Sequence, residues 1–372
     1  MRYLITGGSG YIGTRLVELL AGRQDTEKIV ICDVVPPRGG YRPNTEFERV
    51  DVRQRGAVHS ALQRANPDVL VHLAFILNPS HDEALMYEVD VNGTHNVLEA
   101  AAEAGIGQVL VTTSGVAYGA FPDNPEPITE DHPVRGVARF SYARDKTESD
   151  RIVQLWALQH PDVITTIVRP CIVFGPNVDN YLVRLWTKQP FAVDAGNLDG
   201  HIQFVHEDDV VEAVSGLLLG RHAGQFNLAP DGLMTLRECA ELLGTPIRRM
   251  PVWADRALAK LLWRLRLSEA PPGQIDFALY PWIVSNEKIK ATLGWTPKHT
   301  SLETFEITMR AQGKLPATQP PASTPAIEDP GAILGRSPGP LAQLGERRLD
   351  KPEVTGSSPV RPIARLVPHR NA

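Results

Sequence analysis

The sequence predicts an α/β protein, with a Rossmann-like doubly wound parallel sheet and a smaller, mostly helical C-terminal lobe for substrate. Three observations lead to this fold class. Residues 3–13 pass from an apolar strand through a glycine-rich turn into a helix. Apolar segments then alternate with amphipathic ones, as in parallel sheets that helices cover on both faces. From residue 181 the alternation loosens and helical patterns predominate.

The first predicted elements are a buried strand over Arg2–Ile5 and a helix over Tyr11–Leu20, whose apolar residues follow helical spacing. The glycines between them have separate tasks. Gly7 lets the chain turn, Gly10 lets the backbone approach a phosphate, and Gly13 permits close packing of helix on strand. The helix N-terminus offers unpaired N–H groups and about half a unit of positive charge. This segment therefore predicts a pyrophosphate site.

The second predicted strand, Lys28–Asp33, ends in an acid at the spacing typical of dinucleotide-binding domains. Asp33 can accept hydrogen bonds from both adenosine ribose hydroxyls, and its charge repels a 2′-phosphate. The predicted cofactor is therefore NAD rather than NADP. Arg38 keeps NADP open as an alternative, because a nearby guanidinium can bind a 2′-phosphate. The plainer interpretation of Asp33 is a solvated turn carboxylate.

The remaining pattern continues the alternation of strands and helices. Strands are predicted at residues 47–50, 69–73, 108–114 and 163–168, with a sheet-completing seventh near 202–206. Helices are predicted at residues 56–65, 92–104, 141–159, 256–267 and 286–293. The chain then divides into an NAD-binding Rossmann domain (1–180), a substrate-binding lobe (181–315) and a tail (316–372).

Composition narrows the function classes. The 372 residues are 42% hydrophobic and 22% charged, which is enough for a sizeable core. A formal net charge of -5 without a run of Lys and Arg gives no case for nucleic acid or an acidic membrane, so we expect a small-molecule partner. Cys32, Cys171 and Cys239 are too few and scattered for a disulfide framework or zinc site, so no metal is expected. No signal peptide or long apolar span is evident, which predicts a cytoplasmic protein.

The tail has little with which to build a core. Eleven of the 31 prolines lie in residues 316–372, and no aromatic residue follows Phe305. We therefore expect disorder there. Residues 340–362 look like peptide translated from a transfer-RNA gene region, which would make the tail a read-through product without function.

Tyr142 and Lys146 lie four residues apart on the predicted helix over 141–159, and therefore on one face. A phenol with a pKa of about 10 is a poor base at neutral pH, but a neighbouring cation favours phenolate. With Lys146 and oxidised nicotinamide nearby, Tyr142 could take a proton from an alcohol as hydride leaves. Ser114 would hydrogen-bond the reacting oxygen. Thr112 lies on the same strand face and is expected among the cofactor-binding residues. A surface Tyr–Lys pair and a strand-terminal hydroxyl are the plainer interpretations.

Several ordered motifs resemble the extended short-chain dehydrogenase/reductases, and more closely the NAD-dependent epimerase/dehydratase family. They are Thr6–Gly13, Ser114–Gly119, Tyr142–Lys146 and Arg169–Pro176. The similarity covers about residues 1–312. It implies an NAD-dependent oxidoreductase or epimerase in which Lys146 also holds the nicotinamide ribose. It also makes a homodimer plausible, through the helix with Tyr142 and the helix before the fifth strand.

The resemblance further implies a set of cofactor-binding positions. These are Asp51 and Val52 at the adenine, Tyr11 and Ile12 beside the glycines of the turn, Leu73 and Ala74 at the central portion, and Pro170 and Ile172 at the nicotinamide end. Without the resemblance, Asp51 would be a strand-end acid and Leu73 and Ala74 core residues.

Departures from the family pattern narrow the implied activity. Gly115 and Val116 replace the Asp-Glu pair that 4,6-dehydratases use, so we do not expect dehydration. Ile202 stands where UDP-sugar epimerases commonly have a diphosphate-binding arginine, which argues against a nucleotide sugar. Phe75 replaces a small residue beside the nicotinamide, and Asp90 replaces an asparagine.

The substrate stays open at this point. A sugar derivative, a sterol-like alcohol or another carbonyl compound all suit a hydride-transferring site. A UDP-sugar 4-epimerase proper is one alternative. A non-catalytic redox sensor that binds NAD is the alternative from another class, although it would usually lack the Tyr–Lys pair.

Overall fold

The structure is a computed structural model, and it describes residues 1–40 and 42–316. The strands in this part of the chain are β1 Arg2–Thr6, β2 Lys28–Asp33, β3 Thr45–Arg49, β4 Val69–His72, β5 Gln108–Thr112, β6 Ile164–Pro170, β7 Ile172–Phe174, β8 Ala192–Asp194, β9 His201–Ile202, β10 Phe204–His206, β11 Gly224–Leu228, β12 Met234–Thr235 and β13 Ile247–Arg249. The tail predicted at 316–372 lies outside the described residues from 317 onward.

The α-helices are α1 Tyr11–Ala21, α2 Arg55–Ala65, α3 Glu83–Tyr87, α4 Gly93–Glu103, α5 Ser141–Gln159, α6 Tyr181–Lys188, α7 Glu207–Leu219, α8 Leu236–Leu242, α9 Val252–Arg264, α10 Asp276–Leu279, α11 Glu287–Leu293 and α12 Ser301–Ala311. A π-helical turn, Glu88–Asn92, leads into α4. None of the helices within residues 1–40 and 42–316 has the length and hydropathy to cross a bilayer.

The central sheet has seven parallel strands in the order β11-β6-β5-β4-β1-β2-β3. It is buried on both faces: Tyr3 and Ile5 of β1 belong to the apolar core on one face and Leu4 to the core on the other. The strand order reverses between β1 and β4, which is where a doubly wound sheet binds its ligand. The predicted Rossmann-like fold class is confirmed.

The strand predicted near 202–206 was wrongly assigned to the main sheet. Residues 204–206 form β10, but β10 pairs with β7 in a separate two-stranded sheet. The edge position beside β6 belongs to β11. Strand β11 was not predicted, because Gln225 and Asn227 interrupt its apolar pattern. Asn227 is nevertheless fully buried, and its side chain accepts a hydrogen bond from the Tyr118 hydroxyl at 2.8 Å. The division into an NAD-binding domain (1–180) and a substrate-binding lobe (181–315) stays a prediction.

A buried polar network fixes α5 against the sheet. Arg169 of β6 makes two hydrogen bonds of 2.8 Å to the Asp150 carboxylate on α5. The same carboxylate accepts from Thr113 Oγ1 at 2.7 Å, and Arg169 donates to the Tyr118 hydroxyl at 2.7 Å. Removing one partner of a buried ion pair typically costs about 3–5 kcal/mol, because the other charge is left uncompensated. The network therefore holds the helix that carries Tyr142 and Lys146.

Candidate active site

The glycine turn lies directly against the end of β4. Gly7 has a φ of +69°, and a Cβ atom there would lie 2.5 Å from the backbone nitrogen of Ala74. A Cβ at Gly13 would overlap the Gly7 carbonyl, so α1 packs on the turn without space for a side chain. At Gly10, the close neighbour of such an atom within the described part of the chain would be the Gly7 carbonyl oxygen at 3.1 Å. The turn thus presents bare backbone and the first N–H groups of α1, the donor set that suits a pyrophosphate.

Asp33 is bonded to this turn. Its Oδ2 accepts from the Ser9 backbone N–H at 3.1 Å and its Oδ1 from the Val34 N–H at 2.7 Å. Oδ1 also accepts from the Val35 N–H at 3.4 Å, so the remaining acceptor site of the carboxylate is on Oδ2. The carboxylate therefore stands beside the glycine turn, at the tip of β2, as the sequence predicts for a ribose contact.

Asp51 and Val52, the residues predicted at the adenine, make different contacts. Asp51 accepts from the Arg53 backbone N–H at 3.0 Å and from its guanidinium at 2.6 Å. Arg53 thereby lowers the pKa of the Asp51 carboxyl. Val52 is buried against Gly93, where an added Cβ would lie 2.7 Å from its Cγ2 atom. Asp51 is thus already neutralised, in contrast to Asp33.

One cavity of about 930 Å³ joins the glycine turn to the Tyr–Lys pair and continues into the lobe. Its lining includes most of the predicted site: Gly7, Gly10, Tyr11, Ile12, Gly13, Leu73, Thr112, Ser114, Tyr142, Lys146, Pro170 and Ile172. Asp33, Asp51, Val52 and Ala74 lie outside that lining. The volume is at the upper end of the range for ligand pockets.

Tyr142, Lys146 and Ser114 converge in the middle of this cavity. The Lys146 Nζ atom lies 5.9 Å from the centre of the Tyr142 ring. Burial raises the pKa of the Tyr142 phenol, the Asp90 carboxylate raises it further, and a hydrogen bond with Ser114 lowers it. Both Tyr142 and Lys146 are almost completely buried. The phenol therefore depends on nearby positive charge for deprotonation.

Two uncharged groups contact the Lys146 ammonium directly. Its Nζ atom lies 3.1 Å from the centre of the Phe75 ring and donates to the Thr112 carbonyl at 3.4 Å. His72 also contacts Phe75, with ring centres 4.9 Å apart and the ring planes tilted by 48°. Burial lowers the pKa of His72 to about 3, and Lys146 contributes to that shift. His72 is therefore neutral, and the cation of Lys146 rests on an aromatic face.

Asp90 is the carboxylate that opposes Lys146 from the π-helical turn. It is fully buried, and its Oδ1 accepts from the Ile76 N–H at 2.8 Å. Its Oδ2 has no hydrogen-bond partner among residues 1–40 and 42–316. Burial raises the pKa of Asp90, and Lys146 lowers it. Burial likewise lowers the pKa of Lys146, and Asp90 counteracts this. The two groups therefore support each other's charge.

Sequence reasoning missed the lobe side of the cavity. Tyr181, at the start of α6, lies close enough to Tyr142 to affect its own pKa, which burial raises well above the usual value. Leu185, Trp186, Leu258 and Leu262 line the cavity further out. No motif marks these residues. The only local signal was the amphipathic spacing of α6.

The family profile described as "NAD dependent epimerase/dehydratase family" matches residues 3–229, more than half of the chain. The chain belongs to that family. This confirms the resemblance noted in the motifs, and with it an NAD-dependent enzyme of the extended short-chain dehydrogenase/reductase type.

Other members and structures similar to this epimerase/dehydratase-family protein span most of its length. A Mycobacterium tuberculosis protein described only as uncharacterised is 24% identical over 326 residues, 85% of each chain. The Thermus thermophilus UDP-glucose 4-epimerase in complex with NAD has a TM-score of 0.66 and 23% identity, over 85% of this chain and 100% of that one. Bordetella bronchiseptica WbmG, in complex with NAD and UDP, has a TM-score of 0.62 and 23% identity, over 84% and 94%. At this identity the two structures show the shared fold.

Proposed function

We propose that this family member transfers hydride between NAD and a secondary alcohol or ketone carbon of a small molecule, with Tyr142 as its acid–base group. The observation that carries the proposal is the convergence of Tyr142, Lys146 and Ser114 in the cavity that also contains the glycine turn. Bound NAD would supply the hydride acceptor at C4 and, when oxidised, a positive charge. The cofactor set predicted from the sequence fits this assignment.

The chain's own groups would hold the cofactor in three places. The bare backbone at Gly7 and Gly10, with the N-terminus of α1, would bind the pyrophosphate. Asp33 would accept a hydrogen bond from the adenosine ribose at Oδ2, which keeps a free acceptor site. Lys146 would hold the nicotinamide ribose.

Proton movement would follow from the electrostatics of the buried centre. The Ser114 hydroxyl would hold the substrate oxygen, and the Tyr142 oxygen would take its proton on oxidation or return it on reduction. Because burial and Asp90 raise the pKa of Tyr142, the phenolate needs the Lys146 cation nearby. Asp90 in turn stabilises that cation against burial.

Replacement of Tyr142 by phenylalanine tests this function. We expect Tyr142→Phe to reduce turnover by about 10²–10⁴-fold, the usual contribution of a general acid–base. NAD affinity, measured by calorimetry, should change little, because the glycine turn and Asp33 are untouched. Full turnover by the variant would exclude the assigned role.

Epimerisation and net oxidation are both compatible with this centre, and the cofactor distinguishes them. An epimerase retains its NAD and returns hydride to the opposite face, whereas a dehydrogenase exchanges the cofactor in each cycle. The absorbance spectrum of the purified protein, before and after substrate, measures this directly. Retained NAD without net NADH formation would assign an epimerase.

A further inference from the structure

The part of the cavity beyond Tyr142 is walled by apolar side chains from helices of the lobe. It is lined by Leu185 and Trp186 of α6, by Leu258 and Leu262 of α9, and by Phe277 of α10. Binding of a hydrocarbon to such a wall is favourable, because apolar surface on both sides is removed from water. Polar side chains such as Asn180, Gln189 and Gln274 also line this part, but apolar side chains are the majority.

The side chains of helix α9 are only partly covered by the rest of the protein. None of its residues, Val252–Arg264, is buried, although Leu258 and Leu262 point into the cavity. The helix is tied to the rest of the chain at its rim instead. His81 stacks on Trp263 with ring centres 4.0 Å apart, and Arg256 bonds to Asp276 at 2.9 Å. Helix α9 thus packs on Pro272–Ile275, and its Leu258 and Leu262 side chains border the cavity.

The charged groups of this region leave no net positive charge for a diphosphate. The lining beyond Lys146 contains two cations, Arg184 and Lys188, and two carboxylates, Asp255 and Glu269. Arg184 is already bonded to Glu269 at 2.6 Å and to Asp179 at 2.9 Å. A nucleotide diphosphate brings about two negative charges, which need free charge-assisted donors when desolvated.

We propose that the substrate is an uncharged, largely hydrocarbon alcohol or ketone, of tetracyclic or long-chain type, rather than a nucleotide sugar. This inference rests on the proposed function only for the reacting carbon, which lies at Tyr142. The hydrocarbon body of the substrate occupies the space between α6 and α9, and Leu258 and Leu262 become buried against it. Ile202, which also lines the cavity, adds to the same apolar wall.

Equilibrium binding tests the inference without requiring turnover. The NAD-loaded full chain is titrated with a 3-ketosteroid, 2-dodecanone, cyclohexanone, UDP-glucose and UDP, and quenching of tryptophan fluorescence is recorded, because Trp186 and Trp282 line the cavity. We expect the ketosteroid or dodecanone to bind at least tenfold more tightly than UDP-glucose and than cyclohexanone. The relative affinities of the two larger ketones then distinguish a ring system from a chain.

Two neighbouring leucines of α9 provide a matched pair of variants. Leu262→Gln places an amide in the wall and should weaken binding of the larger ketones by about tenfold or more. Leu261→Gln lies on the outer face, where Leu261 is 53% exposed, and should leave both affinity and turnover unchanged. Unchanged NAD affinity in both variants establishes that they are folded.

The outcomes separate this inference from the proposed function. Tighter binding of UDP-glucose or UDP, or no binding of either larger ketone, overturns the inference even if UDP-glucose is turned over with NAD. Equal loss in the Leu261 and Leu262 variants also overturns it. Tight ketone binding that persists in Tyr142→Phe, with no NADH-dependent reduction by the unmodified protein, supports the inference and contradicts the proposed function.

Discussion

The two ends of the cavity are built in different ways. At the cofactor end, backbone geometry and short-range contacts form the site, as in the Gly7 turn against β4 and the Asp33 bonds to Ser9 and Val34. At the substrate end, side chains from α6 and α9, far apart in sequence, form an apolar wall. Under the proposed function, the first end would bind NAD and the second end would select the substrate. Variants should therefore act on NAD at one end and on substrate at the other.

Among these variants, Gly7→Ala should have the largest effect on NAD binding. The substitution combines a φ of +69° with a Cβ only 2.5 Å from the Ala74 backbone nitrogen, so the turn must move. We expect NAD affinity, measured by calorimetry, to fall by on the order of 100-fold. Gly105→Ala is the matched control, because Gly105 has a similar φ of +66° in open space. It should cost about 1–3 kcal/mol of unfolding free energy and leave NAD affinity intact. Equal NAD affinity in the two variants would contradict a backbone-built cofactor site.

Removal of the Asp33 charge should have an intermediate effect. We expect Asp33→Asn to weaken NAD binding by about tenfold, because hydrogen bonds to a charged acceptor contribute about 1.5–3 kcal/mol each. It should also narrow the preference for NAD over NADP, since the repulsion of a 2′-phosphate is lost. Asp51→Asn should change NAD affinity less, because Arg53 already neutralises that carboxylate. Calorimetric titration of both variants with NAD and NADP measures these affinities. A larger loss of NAD affinity in Asp51→Asn than in Asp33→Asn would contradict the assignment of Asp33 to the ribose.

Asp90→Asn should have the smallest effect of these variants. It should shift the pH dependence of turnover and change the maximal turnover rate little. The groups that face Tyr142 are Asp90, Ser114, Lys146 and Tyr181. The Asp90 carboxylate raises the pKa of Tyr142 and also that of Lys146. Its removal therefore lowers both, so the acid limb, where Tyr142 loses its proton, and the alkaline limb, where Lys146 loses its charge, both move to lower pH. A pH–rate profile that stays in place or moves to higher pH would exclude this coupling.

The same difference between the two ends explains what the sequence could predict. Helix α5 and strand β2 have the predicted bounds, 141–159 and 28–33, because local periodicity and the motifs they carry specify them. Local patterns also predicted Tyr142, Lys146 and Ser114 as site residues, and all three line one cavity. Contacts between segments that are distant in sequence determine which strand pairs with β10 and how α6 and α9 form the apolar wall. The edge strand β11 was missed because Gln225 and Asn227 interrupt its apolar pattern. The predicted homodimer and cytoplasmic location stay predictions.

The most direct measurement of the central claim is the ionisation of Tyr142 in the NAD-loaded protein, followed by tyrosinate absorbance during a pH titration. Without positive charge from the cofactor, burial and Asp90 raise the pKa of Tyr142. With oxidised NAD bound, the account predicts one tyrosine that titrates below the ordinary pKa of about 10. That titration should disappear in Tyr142→Phe and move to higher pH in Lys146→Met. A Tyr142 that still ionises above the ordinary value with NAD bound, or that ionises identically without Lys146, would contradict the account.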